Sequence, residues 1–382
     1  MFEGVEGPAR DAWTLLRSGA FLHQLTGPLK GSDRPVAITC VGPAALEEQC
    51  SAFLGGAWER KLSAALRPDV LVVVEPLRVP LADVLRYSPF LDAVLDVAPS
   101  VEAQIRAVRS KAHRRRLRKA SRGREWAWSV GARPEDLEGF YRTLHRPYVE
   151  ARFGDRQRHA PLEGLQRRLA RGGLVLTVTH RGEPACGAAL FDTPDGLDYD
   201  RNGFRLDALK SPVLLSERTA ALELAIFQLA QELSARTIYL GFCRALVDDG
   251  LFTHKRRLGC RFVPERGSGR SQLWVRPALR PRFFAAVPLV MGPCGEFEVH
   301  VGLSQDSASL TRIQLRALLK NFAIPAVRRA VVWTDVEALD PRRRSFEEAL
   351  RAALGERDVE IRESRENGRP TLNPSAPAAC AR

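Results

Sequence analysis

Short apolar runs separated by polar turns recur along the chain, and their spacing predicts alternating strands and helices. Pro35–Val41 and Asp69–Glu75 are rich in β-branched residues and predict buried strands. Pro43–Leu62 has helical spacing, and Phe90–Val97 continues toward the next unit. Alternation of this kind favours parallel strand pairing. Residues 1–95 therefore predict an N-terminal α/β segment, in which we find no glycine-rich phosphate loop and no nucleophile motif.

The next stretch predicts a strand followed by two helices. Trp126–Val130 alternates aromatic and polar residues, and a helix starts near Pro134 with its apolar positions at helical spacing, namely Leu137, Phe140, Tyr141 and Leu144. Pro161 begins a second helix. The segment between the helices, Pro147–His159, is polar and predicts a loop long enough to be functional.

An antiparallel meander comes next. Leu174–His180, Ala185–Thr193 and Leu197–Phe204 are strands at hairpin spacing, with Gly- and Pro-containing turns between them. A helix over Ser216–Ala235 then leads to the strand Thr237–Phe242. The pattern alone indicates a mixed α/β domain in which a meander feeds a helical crossover.

After Pro277 the chain predicts a further α/β segment. Its elements are the strands Ala285–Val290, Phe297–Val301 and Ala330–Thr334 and the helices Ser309–Phe322 and Ser345–Leu354. We expect residues 96–278 to form the central domain, with 279–362 packing against 1–95. The polar, Pro-containing residues 363–382 predict a disordered tail.

Charge and composition narrow the function classes. The net charge of +13 attracts phosphates, nucleic acid or anionic membranes, whereas an aromatic content of 7% argues against a base-stacking surface. The seven cysteines form no CxxC pair, which disfavours a zinc knuckle or a disulfide framework, and we predict no metal site. We find neither a signal peptide nor a transmembrane run, so we expect a cytoplasmic protein.

The densest charge run is Arg109–Arg124, which predicts a helix from about Ser100 to Gly123 with a thin apolar stripe. One interpretation is contact with phosphates of tRNA, CoA or a nucleotide-linked substrate. Its candidate side chains are Arg114, Arg115, Arg116 and Arg118. The other interpretation of this run is a solvent-exposed helix whose arginine side chains rest their apolar stems on the core.

The most informative stretch is Leu240–Phe262. Where the strand Thr237–Phe242 ends, a loop with paired acids follows, and then the pair His254-Lys255, two arginines and a glycine. A lysine just beyond a strand end suits a cation held at a site. A surface basic cluster on a short helix is the plainer interpretation.

This stretch resembles the signature that closes the acyltransferase core of the FemAB-like branch of the GNAT superfamily. In that branch an aromatic residue precedes the lysine, and here His254 replaces it. The basic run and the motif Tyr199-x-Arg201-x-Gly203 add to the resemblance, which spans Val97–Val275. It implies an acyl-CoA N-acyltransferase fold with a mixed sheet, accompanied by a second α/β unit formed by the terminal segments.

The resemblance also implies roles for residues. Lys255 matches the lysine that lies near the acyl donor, where it contacts the oxyanion or a phosphate. The motif strand meets the acceptor. Lys210 and Ser211 match a position before a long helix, whose N-terminus receives a phosphate. Acetyl-CoA-dependent GNAT enzymes usually carry an Arg/Gln-x-x-Gly-x-Gly/Ala motif that holds the pyrophosphate. This motif is absent here, as it is from FemAB-like proteins, which counts against CoA as the donor.

Three further inferences come from the residues themselves. His254 is a candidate base near neutral pH. Asp198 and Asp200 share a strand face and are a second candidate base, whereas Asp200 and Arg201 should point to opposite faces. Arg244 and Asp248 fill the loop after Thr237–Phe242 and are candidates to gate the site.

These observations support one leading function and two alternatives. The leading function is acyl or aminoacyl transfer from acyl-CoA or aminoacyl-tRNA, neither bound permanently, to an amine or hydroxyl on a small-molecule or lipid-linked acceptor such as a cell-envelope precursor. The alternatives are a non-catalytic RNA-binding protein that uses the basic run and a degenerate GNAT scaffold. The basic run lacks interleaved aromatics and any recognised nucleic-acid motif, which ranks RNA binding lower.

Overall fold

The computed structural model describes residues 84–154, 161–264, 271–292, 296–303, 324, 327–335, 340–354 and 358–363, and the backbone of 20–28, 35–43 and 70–74. Three predicted elements lie outside these residues: the body of the helix 43–62, the helix 309–322 and the tail 364–382.

Within the described residues, strands and helices alternate as a mixed α/β fold requires. The strands are β1 (Ala20–Pro28), β2 (Pro35–Pro43), β3 (Val70–Val74), β4 (Leu85–Tyr87), β5 (Phe90–Asp96), β6 (Trp126–Gly131), β7 (Gly173–His180), β8 (Glu183–Thr193), β9 (Gly196–Phe204), β10 (Thr237–Arg244), β11 (Arg261–Pro264), β12 (Ser271–Val275), β13 (Leu289–Met291), β14 (Phe297–Leu303), β15 (Val327–Thr334) and β16 (Asp358–Glu363). The α-helices are α1 (Val101–Ala107), α2 (Lys111–Arg122), α3 (Pro134–Phe140), α4 (Arg146–Phe153), α5 (Leu162–Leu169), α6 (Pro212–Glu232), α7 (Gly250–Leu258), α8 (Arg280–Ala286) and α9 (Pro341–Leu354).

The chain divides into two compact units. The first contains residues 1–91, 243–253 and 263–382, and the second contains 92–242 and 254–262. The sequence-based central domain, 96–278, has different limits, because residues 243–253 and 263–278 belong to the first unit. The two terminal segments fall within that one unit.

The second unit is built on a seven-stranded sheet with the order β11-β5-β10-β9-β8-β7-β6. Strands β6 to β9 pair antiparallel in sequence order, and β10 joins β9 in parallel. A parallel neighbour requires a crossover, which α6 supplies. The predicted meander, crossover helix and following strand are therefore confirmed, and with them the mixed α/β fold class.

The predicted basic helix is two helices, which corrects its limits. α1 ends at Ala107 and α2 begins at Lys111, and the Oγ atoms of Ser100 and Ser110 accept main-chain N–H groups as the two N-caps. In the break between them, the main-chain N–H groups of Arg109 and Ser110 donate to the carbonyl of Arg257 on α7. The break therefore attaches the start of α2 to the end of α7.

The predicted loop 147–159 is wrong for its first half. After α3 the chain forms a π-helical turn, Tyr141–His145, and α4 then continues to Phe153. The segment is polar because α4 has only two buried residues, Tyr148 and Val149, and not because it lacks a helix. Residues 155–160 lie outside the described part of the chain.

The π-helical turn packs directly against β9. The Nδ1 atom of His145 lies 2.6 Å from the carbonyl oxygen of Asn202. A Cβ atom added to Gly203 would lie 2.5 Å from the main-chain nitrogen of His145, far inside van der Waals contact. Gly203, predicted to bind substrate, is thus the position where a helix backbone and a strand backbone meet. Beside this contact, α3, α5 and the meander enclose an apolar cluster that includes Leu137, Leu165 and Val175.

The first unit contains two sheets, one ordered β1-β2-β3-β12-β4 and the other β13-β14-β15-β16. Strand β12 lies within the expected central domain, 96–278, but it pairs antiparallel with both β3 and β4 of the first unit. One apolar cluster unites residues of both sheets, including Leu273, Phe284 and Trp333. The expected strand Ala285–Val290 is wrong in its first half, because Ala285 and Ala286 close α8 and β13 begins at Leu289.

We predict that Gly203→Ala destabilises the second unit by about 1–3 kcal/mol, because the added methyl group must displace the π-helical turn. Urea denaturation measures this loss. Gly139→Ala in α3 is the control, since a Cβ atom there has no neighbour within 4 Å. Equal stability of both variants would show that the β9 contact is not tight.

Candidate active site

The site begins where β9 and β10 separate. These parallel strands pair at three positions, Thr237 with Gly196, Ile238 with Leu197 and Tyr239 with Asp198. Both strands then continue without pairing to each other. Main-chain groups on the two facing edges therefore need other partners, because a buried unpaired N–H or C=O group is costly.

Both strands are irregular at the level of the separation. In β9, Leu190 of β8 pairs with Tyr199 and Ala189 pairs with Arg201, which leaves Asp200 as an extra residue in a β-bulge. In β10, Gly241 has φ +69°, a conformation that favours glycine. A Cβ atom on Gly241 would lie 3.9 Å from the carbonyl oxygen of Tyr199, so the two irregularities are neighbours.

Lys255 reaches this point from α7. The residue is 4% exposed, and its Nζ atom donates to the carbonyl oxygens of Gly241 at 2.7 Å and Phe242 at 2.8 Å. These charge-assisted bonds satisfy two carbonyls of β10 just past the last β9 pair. The ammonium group and the Tyr199 strand thus both lie next to Gly241.

His254, the residue before Lys255, belongs to a buried charged cluster. The carboxylate of Glu223 on α6 bonds to the Nε2 atom of His254 at 2.9 Å and to the Nε2 atom of His113 on α2. Glu223 is 4% exposed. Burial alone would raise the pKa of Glu223, but the bonds from His113 and His254 outweigh it and hold that pKa well below the usual range.

The contact with Glu223 also changes the pKa of His254. Burial by itself would lower the pKa of this imidazole, whereas the hydrogen bond and the charge of Glu223 raise it, and the net direction is upward. The neighbouring charges of Lys255 and Arg257 oppose that rise. Glu223 therefore increases the proton affinity of the one histidine that precedes the buried lysine.

Asp198 and Asp200 share one arginine. Nη2 of Arg168 lies 2.7 Å from Asp198 and Nη1 lies 3.0 Å from Asp200, and the guanidinium carbon lies 3.9 Å from the ring centre of Phe191. Burial is the largest influence on Asp198 and raises its pKa despite Arg168. Asp198 and Asp200 therefore lie close enough together for one guanidinium, that of Arg168, to contact both carboxylates.

The bulge bears on one expectation about this strand. Asp200 and Arg201 were expected on opposite faces, yet Nη1 of Arg201 lies 3.2 Å from the Asp200 carboxylate. The extra residue breaks the two-residue alternation on which the expectation rested. On the same strand the Tyr199 hydroxyl accepts a hydrogen bond from Asn202, and burial raises the pKa of Tyr199 well above its usual value.

The other predicted substrate-binding residues lie elsewhere. The Ser211 side chain accepts the main-chain N–H of Leu214 and is the N-cap of α6, while Lys210 is exposed at the end of the preceding 3₁₀ turn. Arg244 and Asp248 belong to the first unit, where Arg244 is half-buried and Asp248 is exposed. The neighbouring Asp249 caps α7 by accepting the N–H groups of Leu251 and Phe252.

An ion pair holds the start of α6, the helix that carries Glu223. Arg218 is 2% exposed; its guanidinium donates to both carboxylate oxygens of Asp207 and to the carbonyl of Arg205. The hydrogen bond from Arg218 lowers the pKa of Asp207 far below its usual range, although partial burial opposes this. The position of Glu223 in the sheet-facing helix is fixed from this end.

The basic side chains of α2 divide into two groups. Arg114 donates to the carbonyls of Val108 and Arg109, and Arg118 lies 3.2 Å from Glu102. Arg115 and Arg116 have no acidic partner among the described residues. An open groove runs along the helix and is lined by Arg115, Arg118, Lys119, Arg122 and Gly123.

We call Lys111, Arg115, Lys119 and Arg122 the basic stripe, because their spacing of four, four and three residues places them on one exposed face of α2. Lys119 pairs with Glu217 at 2.6 Å, and that bond raises the pKa of the lysine. Exposure on the stripe favours the phosphate-contact interpretation for Arg115, whereas the guanidinium of Arg114 is held by the carbonyls of Val108 and Arg109.

No three His, Cys, Asp or Glu side chains among the described residues have the arrangement of a metal site. No helix in the described part combines the length and apolar character needed to cross a membrane.

Comparison with known proteins gives similarity only at the level of solved structures, since no family model and no curated protein matches. The C-terminal DUF2156 domain of a putative lysylphosphatidylglycerol synthetase from Agrobacterium fabrum is 12% identical, with 69% of this chain and 86% of that chain covered and a TM-score of 0.34. FemX is 10% identical over 70% of this chain and 92% of that one, with a TM-score of 0.39.

A GCN5-related N-acetyltransferase-like protein from Streptococcus suis is 11% identical, with 70% and 93% of the two chains covered and a TM-score of 0.29. With TM-scores below 0.5, these similarities carry no argument about activity or substrate.

Sequence reasoning missed several residues of this site, among them Glu223 and Arg168. Glu223 interrupts the apolar run from Ala220 to Phe227, and a lone acid in such a run is a recognisable signal. Arg168 has no comparable signal, because it is one of several arginines on α5 and its neighbours. Only the fold brings it to the bulge of β9.

We predict that the stability difference between the native protein and Glu223→Gln is largest between pH 4.5 and 6.5, the ordinary pKa values of Glu and His. The depressed pKa of Glu223 gives a contribution that is present above 4.5 and lost as the pH falls through the folded value. The raised pKa of His254 gives one that is complete below 6.5 and lost as the pH rises through the folded value.

Urea denaturation at acidic, intermediate and alkaline pH measures this difference, which we expect to reach about 1–3 kcal/mol. Glu125→Gln is the control, because Glu125 pairs with His180 in an exposed position. A difference that stays constant with pH would contradict the buried ion pair.

Proposed function

We propose that this chain is an acyltransferase that moves an acyl or aminoacyl group from acyl-CoA or aminoacyl-tRNA to an amine or hydroxyl acceptor. The observation that carries the proposal is the buried Lys255 ammonium at the separation of β9 and β10. A separated pair of parallel strands offers main-chain donors and acceptors to an extended ligand, and a nearby cation favours a developing negative charge.

The charge at Lys255 suits acyl transfer. As the acceptor attacks, the carbonyl oxygen of the donor becomes negative, and a fixed positive charge in a water-poor environment stabilises that state most strongly. The ammonium is held by two carbonyls and does not need to reorganise during the reaction. We propose that its charge acts on a donor carbonyl placed between β9 and β10, with Tyr199 and Arg201 on the acceptor side.

The basic stripe supports a donor that carries phosphates. Lys111, Arg115 and Arg122 are exposed cations on one face, and acyl-CoA and aminoacyl-tRNA are both polyanions. Non-catalytic RNA binding uses the same stripe and is the second candidate function. It leaves the buried charges at Lys255 and Glu223 without a purpose beyond stability.

A transfer assay tests the proposal. The full chain is incubated separately with ¹⁴C-acetyl-CoA and with a mixture of ¹⁴C-aminoacyl-tRNAs, each with a pool of small amines and total bacterial lipid extract. We expect label to move to an acceptor with one donor class. Native mass spectrometry of protein purified from its own host identifies retained CoA or tRNA independently. No transfer and no retained donor would overturn the proposal.

We predict that Lys255→Met lowers kcat by about 100- to 1,000-fold, the usual effect of losing one oxyanion-stabilising group. The substitution also leaves two carbonyls without their donor and should cost about 1–3 kcal/mol of stability. Leu165→Ala is the control, since it removes buried apolar volume without removing charge. Equal activity of the two variants would mean that Lys255 is structural only.

We predict that the double variant Arg115→Ala/Arg122→Ala weakens binding of bulk tRNA and reduces the slope of log affinity against log salt by about 2. Filter binding over a series of salt concentrations measures the slope. Arg171→Ala/Arg236→Ala removes the same charge from other exposed positions of the second unit and should leave the slope unchanged. An equal effect of both pairs would indicate general charge attraction without a defined surface.

A further inference from the structure

Glu223 is a deeply buried charged group of the second unit. It sits among apolar neighbours on α6 and is 4% exposed, so its charge has lost nearly all contact with solvent. Each carboxylate oxygen has a separate imidazole partner, Oε2 with His113 and Oε1 with His254. A buried ion pair of this kind is weak evidence for stability, because desolvation offsets the attraction.

The two histidines differ in exposure. The side chain of His113 is 11% exposed, whereas that of His254 is 41% exposed, and their rings meet edge to face with centroids 6.1 Å apart. Nε2 of His254 is occupied by Glu223. Among the residues that the structure describes, none forms a hydrogen bond with its Nδ1 atom. Within the cluster, His113 is therefore largely shielded from solvent, whereas His254 is partly accessible.

We propose that His254 is the general base of the acyl transfer, acting through Nδ1, and that Glu223, itself held by His113, is the positioning residue that keeps the His254 proton on Nε2. This inference rests on the proposed function. A carboxylate that accepts the N–H of one imidazole nitrogen leaves the other nitrogen as the acceptor, and it stabilises the imidazolium formed during the reaction.

The alternative base at the bulge is less suitable. Asp198 and Asp200 both contact Arg168, so a proton taken by either carboxylate must compete with a guanidinium. Among the described residues, no guanidinium forms a hydrogen bond with the imidazole of His254, and the nearby charges of Lys255 and Arg257 act on it without such a bond. His254 also precedes Lys255 on α7, so the base and the cation come from adjacent residues of one helix.

In the proposed reaction one proton passes from the acceptor to His254 and then to the leaving group. The nitrogen or oxygen of the acceptor forms a bond to the donor carbonyl carbon while its proton moves to Nδ1 of His254. The carbonyl oxygen carries the negative charge in the tetrahedral intermediate. As the intermediate collapses, the C–S bond of a thioester or the C–O bond of an ester breaks, and the imidazolium returns the proton to the departing sulfur or oxygen.

Four charged or titratable groups face His254. Glu223 from α6 is the strongest and raises the pKa of the imidazole; Lys255 and Arg257 of α7 lower it. His113 from α2 contacts the ring edge and shares the carboxylate. Because a base is active only when deprotonated, we expect kcat to rise with pH along a limb whose midpoint lies above the ordinary histidine value of 6.5.

The closing experiment measures kcat against pH in the transfer assay for the native chain, His254→Gln, Glu223→Gln and Glu223→Asp. We expect His254→Gln to lose about 100- to 10,000-fold in kcat together with the rising limb. Glu223→Gln should lower kcat and move the limb to lower pH, because the imidazole loses its anionic partner. Glu223→Asp keeps the charge and should recover part of both.

The control pair is His180→Gln and Glu125→Gln, which alters an exposed histidine–glutamate contact of the same chemistry on the meander. Both variants should keep the native pH profile. NMR of ¹⁵N-histidine-labelled protein supplies a readout that does not depend on turnover. It should show the Nε2–H tautomer for His254 and a titration midpoint that falls in Glu223→Gln.

The outcomes separate the two proposals. Absence of transfer by the native chain overturns the proposed function, and the base assignment fails with it. Transfer with a native kcat and pH profile in His254→Gln overturns the base assignment alone. A proton on Nδ1 of His254, or a midpoint that does not move in Glu223→Gln, overturns the positioning role of Glu223 even when both variants are slow.

Discussion

The separation of β9 from β10 is the constraint on which the rest of the site depends. Two parallel strands that pair over three positions and then part leave main-chain carbonyls and amides facing each other without mutual bonds. Lys255 satisfies two of these carbonyls, and it does so because Gly241 has a positive φ that a residue with a side chain rarely adopts. The buried ammonium group therefore compensates for hydrogen bonds that the separated strands do not make to each other. It also places a positive charge at the opening between them.

A second buried charge, the carboxylate of Glu223, pairs with His254, the residue that precedes Lys255. Lys255 and His254 are neighbours on α7, but they reach different elements: the lysine contacts β10, and the histidine contacts Glu223 on α6. The break between α1 and α2 attaches to the carbonyl of Arg257, and His113 joins the cluster from the first turns of α2. Three helices and one strand therefore converge through charged contacts, whereas the apolar cluster of the meander lies with α3 and α5.

The basic character of the chain has at least two physical origins. Some arginines are structural: Arg218 anchors α6, Arg168 neutralises the bulge of β9, and Arg114 binds carbonyls at the helix break. Others, such as Arg115, have no acidic partner among the described residues and line the groove along α2. A net charge of +13 therefore overstates the charge offered to a phosphate ligand.

The sequence by itself determined the elements whose signal is local. Alternating apolar residues and turn glycines predicted the strands β7, β8 and β9, and helical spacing predicted α6, because side-chain periodicity and turn chemistry act over a few residues. The His254-Lys255 pair was also recognisable as chemistry placed just after a strand end. The break before Ser110 was not, since its stabilising partner is the carbonyl of Arg257, far along the chain.

Only the tertiary structure decided which charges meet. Arg168 on α5 contacts the carboxylates of Asp198 and Asp200 on the bulged strand β9. The bulge itself depends on the register between β8 and β9. Glu223 was visible as an acid in an apolar helix. Its two partners, however, lie far away in sequence: His254 is 31 residues from it and His113 is 110 residues from it. Long-range contacts of this kind follow from packing, which no local pattern encodes.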